Sequence, residues 1–572
     1  MRESQKYLLA AIFLAVLFLS GIYAALIFNS DFGKLNVRTV TLKDADKQLS
    51  ALLYRPVIAS PEKPSAAIVL AHGISESKDI MSNLGLELAK RGFVVLCLDL
   101  LGHGGSDGTV SEGNKETDFG VSAAVQYLES QTYVNTSEIG LVGHSLGGGA
   151  VRAEAAQNKN IMATVLIAGG IGPNTQDQSE KLNSSFPKNL LVIVGKYDVL
   201  FNLTELEMTE LPSAFNTSTP VVPSRLYGDF EFETARKLIV PTTTHLFETI
   251  DPQVASETIN WMENSLTQSQ NAEDKSNTSL SFPNRELALL FSLVGLVGIT
   301  LLGYPLVTFF SKKHQDPSIT EKGVRARWKV YAIWALLNLL LFFPFVLIGF
   351  EISFPPLIFG SSVAWWVLAT GLVGILLFAK NKPKVFETNL HLRTLLQQNF
   401  KKEALIAVIL FGFIFAISSL LQALFSIDLR ILAPIFQEFT QLRRILAFAA
   451  FIPFFLVYFV AEGLYLHEPI SSFVTGKGNF SKTSEWARVV LAKISPFLII
   501  IGVQYLSRLI LNVWIFPGFA GFIVEFLWLI TPIFVLTTTC SWWFRGKTGT
   551  IGTGAVFNTL LLAWVAAVVF PF

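Results

Sequence analysis

The chain is long, apolar and nearly neutral: it has 572 residues, 51% of them hydrophobic and 15% charged, with a mean hydropathy of +0.49 and a formal net charge of +1. This composition excludes a single soluble domain and requires part of the chain to lie in lipid. There is no basic excess, so nucleic acid is not expected as a partner. Cys97 and Cys540 fall in a predicted strand and a predicted membrane span, so both are expected to be unpaired core residues.

The first predicted element is a membrane span at residues 7–28, which carry no charge and are long enough to cross a bilayer. A cleaved signal peptide would have a shorter apolar core and a cleavage site made of small residues. Residues 1–33 are therefore predicted to be a retained signal anchor.

Residues 34–266 have the pattern of a soluble domain in which strands and helices alternate. An opening pair of strands is predicted at 37–42 and 49–56, and apolar runs follow at 66–73, 93–100, 139–145, 163–170, 189–198 and 236–245. Helical patterns are found at 80–91, 117–131, 146–157 and 252–266. Near-continuous apolar strands that alternate with helices predict an α/β fold, a mostly parallel sheet with helices on both faces.

Residues 267–286 are mostly polar and are predicted to be a linker, whereas residues 287–572 are predicted to be an all-α transmembrane domain of about eight helices. These spans lie near 287–310, 328–350, 357–379, 404–425, 445–466, 493–515, 520–541 and 553–572, which makes nine with the first. Lysine and arginine concentrate in alternate loops, and the other loops are nearly uncharged except 426–444, which holds Arg430, Arg443 and Arg444. This alternation predicts a multi-pass protein with a cytoplasmic N-terminus and an extracytoplasmic α/β domain.

The motif Gly143-His144-Ser145-Leu146-Gly147 lies between a predicted strand and a predicted helix. In this context G-x-S-x-G predicts a nucleophile elbow, a sharp turn that presents the serine hydroxyl and leaves no room for side chains at the two glycines. Ser145 is therefore the candidate nucleophile.

Four further motifs surround the elbow in chain order: His72-Gly73-Ile74, residues 99–107 (DLLGHGGSD), Asp198 after the penultimate long apolar run and His245 after the last. With these motifs, residues 34–266 resemble the α/β-hydrolase superfamily. The resemblance implies a Ser145 nucleophile, an Asp198 acid and a His245 base, with the backbone N–H groups of Leu146 and Ile74 as oxyanion donors. Neither a cofactor nor a metal is implied, and no metal-binding motif such as H-E-x-x-H occurs in the sequence.

Several alternatives stay open at this point. Asp177 and Asp229 are substitutes for the acid, and His72, His103 and His144 compete with His245 for the role of base. Two segments, 171–188 and 199–234, interrupt the late strands; the second is apolar and is expected to line the substrate pocket, with surface decoration as the alternative.

The membrane half carries a few polar side chains. Gln504, Arg508 and Asn512 recur every four residues and so share one helix face, and Glu525 follows on the next span. An intramembrane ionisable residue is a functional candidate, but an ion pair between Arg508 and Glu525 that joins two helices is the favoured interpretation. The loop 426–444 is predicted to form a helix that lies at the membrane surface.

These features predict a membrane-embedded serine hydrolase that cleaves esters of apolar or lipid-like substrates through an acyl-serine intermediate. A peptidase or an acyltransferase with the same triad is one alternative, and a transporter or scaffold with a vestigial hydrolase domain is another. The expected partners are the lipid bilayer and an ester substrate, and protein partners cannot be predicted.

Overall fold

The computed structural model describes residues 3–116, 118–171, 181–266, 280–310, 328–381, 400–431, 433–467, 482–548 and 550–572. Helix α1 (Glu3–Asn29) leads into an α/β domain. The domain comprises β1 (Leu35–Asp44), β2 (Lys47–Pro56), β3 (Ser65–Ala71), α2 (Ser82–Lys90), β4 (Val94–Leu98), α3 (Val110–Glu116), α4 (Val121–Glu129), β5 (Val134–His144), α5 (Leu146–Gln157), β6 (Ile161–Ile167), β7 (Leu190–Ile193), β8 (Leu226–Tyr227), β9 (Arg236–Ile239) and α6 (Pro252–Leu266).

The strands form one sheet in the order β1-β2-β4-β3-β5-β6-β7-β9-β8. The pairs β1/β2, β2/β4 and β8/β9 are antiparallel, and all other pairs are parallel. Alternate residues of the central strands enter two different apolar clusters, such as Val69 in one and Ile68 in the other, so both faces of the sheet are covered. The predicted α/β fold class is confirmed.

Eight long helices follow: α7 (Phe282–Phe310), α8 (Trp328–Ile352), α9 (Gly360–Asn381), α10 (Phe400–Phe425), α11 (Leu442–Glu462), α12 (Lys482–Leu511), α13 (Gly518–Thr548) and α14 (Gly552–Val569). Within the described ranges, nine helices including α1 are long and apolar enough to cross a membrane. Helix α7 begins inside the predicted linker because Phe282 is buried and Glu87 accepts hydrogen bonds from the backbone of Ser281 and Phe282.

The predicted surface helix at 426–444 is wrong. The segment instead contains a hairpin of β10 (Leu429–Ile431) and β11 (Ala433–Phe436), and α11 begins at Leu442. Buried Arg430 pairs with Asp428 and Glu286 at this hairpin. The apolar residues of the segment recur with period two, which favours a strand. The ion pair with Glu286 joins the hairpin to α7, and Arg430 also donates to the Asp79 carbonyl of the α/β domain at 3.3 Å.

The α/β domain lies against one end of the helix bundle. Gly518 donates to the Val199 carbonyl at 3.0 Å, Gln437 Nε2 donates to Ser77 Oγ at 3.0 Å, and Val110 donates to the Phe572 carbonyl at 2.8 Å. These contacts join the α/β domain to the connections α10–α11 and α12–α13 and to the C-terminus, all three of which the charge pattern predicts on one side of the membrane. Which side that is stays a prediction.

Candidate active site

A strained serine lies at the carboxyl end of β5. Ser145 has φ 51° and ψ −115° and directly precedes α5. A Cβ at Gly143 would lie 2.1 Å from the Gly147 carbonyl oxygen, and a Cβ at Gly147 would lie 2.4 Å from the Ala71 carbonyl oxygen. Glycine is therefore required at both positions, and the strand can turn into the helix only through the strained serine.

The three residues predicted to act together lie in one hydrogen-bonded chain. Ser145 Oγ is 2.9 Å from His245 Nε2, and His245 Nδ1 is 2.8 Å from Asp198 Oδ2. His245 and Asp198 are buried, and the other carboxylate oxygen of Asp198 accepts the Leu200 N–H at 2.7 Å. Chemically, this arrangement can transfer a proton from the hydroxyl to the imidazole while the carboxylate fixes the tautomer.

The strands that carry the acid and the base are shorter than predicted. β7 ends at Ile193 and β9 ends at Ile239, so Asp198 and His245 lie on the loops that follow. His245 opens a 3₁₀ turn (His245–Ile250). Of the alternative acids, Asp229 lies in an exposed turn, where its carboxylate accepts the Glu231 N–H, and Asp177 lies outside the described residues.

The two proposed oxyanion donors are close to the serine in the chain or in space. Leu146 is the first residue of α5, so its N–H is among the N-terminal amides that have no intrahelical acceptor. Ile74 follows Gly73, at which an added Cβ would lie 3.1 Å from Ser145 Cβ. Their role as donors stays a prediction.

His144 links the loop before Ile74 to the loop of the candidate base. Its Nδ1 is 3.2 Å from Glu76 Oε2, which also accepts the Gly73 N–H at 2.6 Å, and its Nε2 is 3.2 Å from the His245 carbonyl oxygen. Burial disfavours a charged imidazole, but the carboxylates of Glu76 and Glu248 outweigh it and raise the pKa of His144 to about 10. The ring nitrogens of His144 face Glu76 and the His245 carbonyl, so it is His245 and not His144 that lies within hydrogen-bond distance of Ser145 Oγ.

His72 and His103 have structural surroundings. His72 Nε2 accepts the Leu100 N–H at 3.1 Å, so its Nδ1 carries the proton and donates to the Gly73 carbonyl at 2.7 Å. Burial lowers the pKa of His103 to about 3, and its ring packs edge-on against His72 with centroids 5.1 Å apart. Both rings therefore support the loops around Ser145 rather than contact its hydroxyl.

Sequence reasoning missed that the membrane helices form one wall of this site. Phe522 of α13 packs edge-on against the His245 ring with centroids 5.3 Å apart. Buried Glu525 lies one turn further along α13. It accepts hydrogen bonds from the Leu246 N–H at 3.3 Å and from the Tyr505 hydroxyl at 3.2 Å. The only sequence signal for this wall was an intramembrane carboxyl group.

The predicted ion pair between Arg508 and Glu525 is wrong: both residues are described, and no ion pair joins them. Arg508 donates to the Asn512 carbonyl at 3.0 Å and lies over the Trp514 ring. The Glu525 side chain is directed at the α/β domain instead, because the Leu246 N–H and the Tyr505 hydroxyl satisfy it there.

A large apolar cavity adjoins the site. It encloses about 1,160 Å³ including its open mouth, and its walls come from the Ile74 loop, the turn after His245 and helices α13 and α14. None of its lining residues belongs to the segment 199–234, so the expectation that this segment lines the pocket is not met here. Leu206, Leu211 and Phe215 of that segment are buried in the core of the α/β domain instead, because their side chains cover one face of the sheet.

One group of possible metal ligands is found in the described ranges: nitrogen and oxygen atoms of His144, His245 and Glu248 lie within 4.8 Å of one another. Both ring nitrogens of His245 already face Asp198 and Ser145. The residues therefore do not fit a metal without breaking the hydrogen-bonded chain.

The sheet order, the strained serine and the hydrogen-bonded chain define an α/β-hydrolase domain joined to a helical membrane region. Residues 62–217 match the family model Hydrolase_4, described as serine aminopeptidase, S33. The chain thus carries a domain of the hydrolase class.

Curated relatives and solved structures also match part of the chain. The uncharacterized protein Rv2715 of Mycobacterium tuberculosis is 33% identical over 108 residues, which are 18% of this chain and 30% of that protein. The uncharacterized protein YcjY of Escherichia coli is 30% identical over 118 residues, 20% of this chain and 39% of that protein. The chain thus spans about a third of the length of these relatives.

Two similar structures are a dienelactone hydrolase from Anabaena variabilis and the esterase Pf2001 from Pyrococcus furiosus. The first is 20% identical with a TM-score of 0.29 and covers 41% of this chain and 99% of its own. The second is 16% identical with a TM-score of 0.30 and covers 41% of this chain and 96% of its own.

Proposed function

We propose that this protein is a membrane-embedded serine hydrolase that cleaves esters of apolar or lipid-like substrates through an acyl-Ser145 intermediate. The observation that carries the proposal is the chain of hydrogen bonds Ser145–His245–Asp198, 2.9 Å and 2.8 Å long, at a strained elbow. Three side chains in this order are what a weak hydroxyl nucleophile requires for activation.

In the first half of the reaction, Ser145 Oγ attacks the ester carbonyl carbon while its proton moves to His245 Nε2. Asp198 accepts the hydrogen bond from His245 Nδ1–H and stabilises the imidazolium. The N–H groups of Leu146 and Ile74 stabilise the negative charge on the former carbonyl oxygen. The bond to the alcohol then breaks, and the alcohol leaves with the proton held by His245.

In the second half, water attacks the acyl carbon and gives a proton to His245. The bond to Ser145 Oγ breaks, and the serine recovers its proton from His245 as the carboxylic acid leaves. The chain's own residues and water account for every proton and bond in this cycle.

An apolar substrate is supported by the surroundings of the site. Phe522 packs on the base, and the adjoining cavity is lined mainly by aliphatic and aromatic side chains.

The description of the matched family, serine aminopeptidase, favours amides as the competing substrate class. The same residues would serve an acyltransferase if an alcohol or amine replaced water. A transporter or scaffold with a vestigial hydrolase domain would not need the hydrogen-bonded chain.

A substrate panel with the full chain in detergent tests the proposal. Turnover of short-chain esters, phospholipids and aminoacyl amides is measured for the wild type and for Ser145→Ala. Ser111→Ala, which changes an exposed serine, is the control. Ester turnover above amide turnover, lost only in Ser145→Ala, is expected. Equal ester turnover in Ser145→Ala would refute a serine mechanism, and faster amide turnover would make the protein a peptidase.

The distribution of lysine and arginine supports an extracytoplasmic α/β domain with a cytoplasmic N-terminus. A C-terminal reporter that is active only outside the cytoplasm tests this orientation, because the C-terminal Phe572 contacts the α/β domain. Activity of the reporter is expected, and a silent but well-expressed fusion would reverse the proposed orientation.

A further inference from the structure

The apolar cavity beside the candidate site extends well into the helix bundle. At one end it begins at Ile74 and Leu246, neighbours of Gly73 and of the candidate base. Along α13 it is lined from Phe526 to Phe534, and along α14 from Phe570 down to Leu562. Because α13 begins and α14 ends at the α/β domain, Phe534 and Leu562 lie at the deep end.

The depth of the cavity follows from the helix geometry. Phe534 lies eight positions after Phe526, which at 1.5 Å per residue is about 12 Å along the helix. An extended alkyl chain with bonds of ~1.5 Å at tetrahedral angles advances ~1.25 Å per carbon, so this depth holds about nine or ten carbons. Phe534 is fully buried and Leu562 nearly so, so the deep end of the cavity is lined by side chains that solvent does not reach.

Polar lining residues are concentrated at the end of the cavity next to the α/β domain. Ser75, Glu76 and Ser77 follow Ile74 in the loop after β3, and Gln437 lies at the end of the hairpin that contacts this loop. The walls along α13 and α14 are apolar. The cavity is thus polar where it meets the α/β domain and apolar where it enters the membrane region.

We propose that this cavity, the acyl cavity, binds the single medium- or long-chain acyl group of the ester substrate, with the carbonyl at Ser145 and the chain between α13 and α14. The proposal rests on the serine hydrolase function above and names the substrate class. A deep apolar cavity suits the acyl group because that group stays attached to Ser145 until water releases it, whereas the alcohol departs first. The membrane helices, rather than a cap on the α/β domain, would then set the chain-length preference.

Chain-length profiles test the proposal. With p-nitrophenyl esters from two to sixteen acyl carbons, kcat/KM of the wild type is expected to rise, by up to about fourfold per methylene group buried, and to level off near ten carbons. Ala566→Phe fills the cavity about one turn below Val569, and Leu562→Phe fills only its deep end. The first variant is expected to shorten the preferred chain more than the second.

Leu560→Phe is the matched control, because Leu560 lies on the same helix, is partly buried and does not line the cavity. Its chain-length profile should equal that of the wild type. Unchanged profiles in both cavity variants, with Ser145-dependent acetyl ester turnover intact, would refute the acyl cavity alone. Loss of Ser145 dependence with every ester would refute the hydrolase function instead. A parallel series of acetate esters with lengthening alcohols is expected to show no such optimum, and an optimum there that shifts in the variants would assign the cavity to the alcohol.

A binding measurement keeps the proposal testable without turnover or substitution. A dodecanoic acid that carries a diazirine near its methyl end is cross-linked to the wild-type protein and mapped by peptide mass spectrometry. Adducts on Ile530, Ile533 or Leu562 are expected, and excess unlabelled dodecanoic acid should prevent them. Labelling confined to exposed apolar residues such as Leu506 and Leu509 would refute an acyl site between α13 and α14.

Discussion

Glu525 connects the membrane bundle to the loop of the candidate base, and its removal is a specific test of that connection. Its buried carboxylate accepts hydrogen bonds from the Leu246 N–H at 3.3 Å and from the Tyr505 hydroxyl at 3.2 Å. Glu525→Ala leaves the Leu246 N–H without its partner, and an unsatisfied buried donor costs about 1–3 kcal/mol. If the His245 loop is displaced as a result and the activation free energy rises by this amount, kcat falls about five- to 150-fold.

The assay separates this positioning role from a general loss of folding. Ester turnover and the rate of fluorophosphonate labelling of Ser145 are measured for Glu525→Ala, Glu525→Gln and Tyr505→Phe, with Glu351→Ala as a control at an exposed glutamate of α8. Glu525→Gln retains an oxygen for the Leu246 N–H, so its kcat should stay within about threefold of the wild type. KM should change little in any variant. Wild-type kcat in Glu525→Ala, or equal losses in the alanine and glutamine variants, would refute the reasoning.

Three further outcomes are expected. Asp198→Asn should lower kcat by about four powers of ten while short-ester KM is kept, because the amide favours the wrong His245 tautomer; stopped ester assays measure this. The pKa of His144 is raised from 6.5 to about 10. Its charge therefore stabilises the fold fully below pH 6.5, and this contribution is lost as pH rises through 10. Between pH 6.5 and 10 the melting temperature should fall more steeply in the wild type than in His144→Gln. Gly147→Ala should abolish fluorophosphonate labelling because its Cβ would overlap the Ala71 carbonyl. Gly149→Ala should label normally, because outside the neighbouring backbone of its own helix no atom lies within 4 Å of its added Cβ.

Much of the α/β domain could be predicted because its signals are local. The apolar runs identify the strands, and Ser145 is marked by glycines that the strand-to-helix turn itself requires. The chain order of the motifs then points to Asp198 and His245. The short helix α3 and the edge strand β8 were missed because neither has an apolar run of its own.

The surroundings of the site could not be predicted, because they depend on how the helix bundle docks onto the α/β domain. Phe522 is an ordinary span residue in the sequence, and only the docked structure places its ring on His245. Glu525 was assigned a partner by membrane depth, but its actual partners, Leu246 and Tyr505, include a backbone group far away in the chain. The segment 199–234 was expected at the pocket because it is apolar, yet its apolar residues complete the core of the α/β domain instead.

The most direct test of the central claim is to trap the covalent intermediate. The full chain in detergent is incubated with a fluorophosphonate or with a slowly hydrolysed ester, and the adduct is located by peptide mass spectrometry. One adduct per chain on Ser145 is expected, absent in Ser145→Ala and strongly reduced in His245→Ala. Stoichiometric labelling of another residue, or ester hydrolysis by Ser145→Ala at the wild-type rate, would contradict the account.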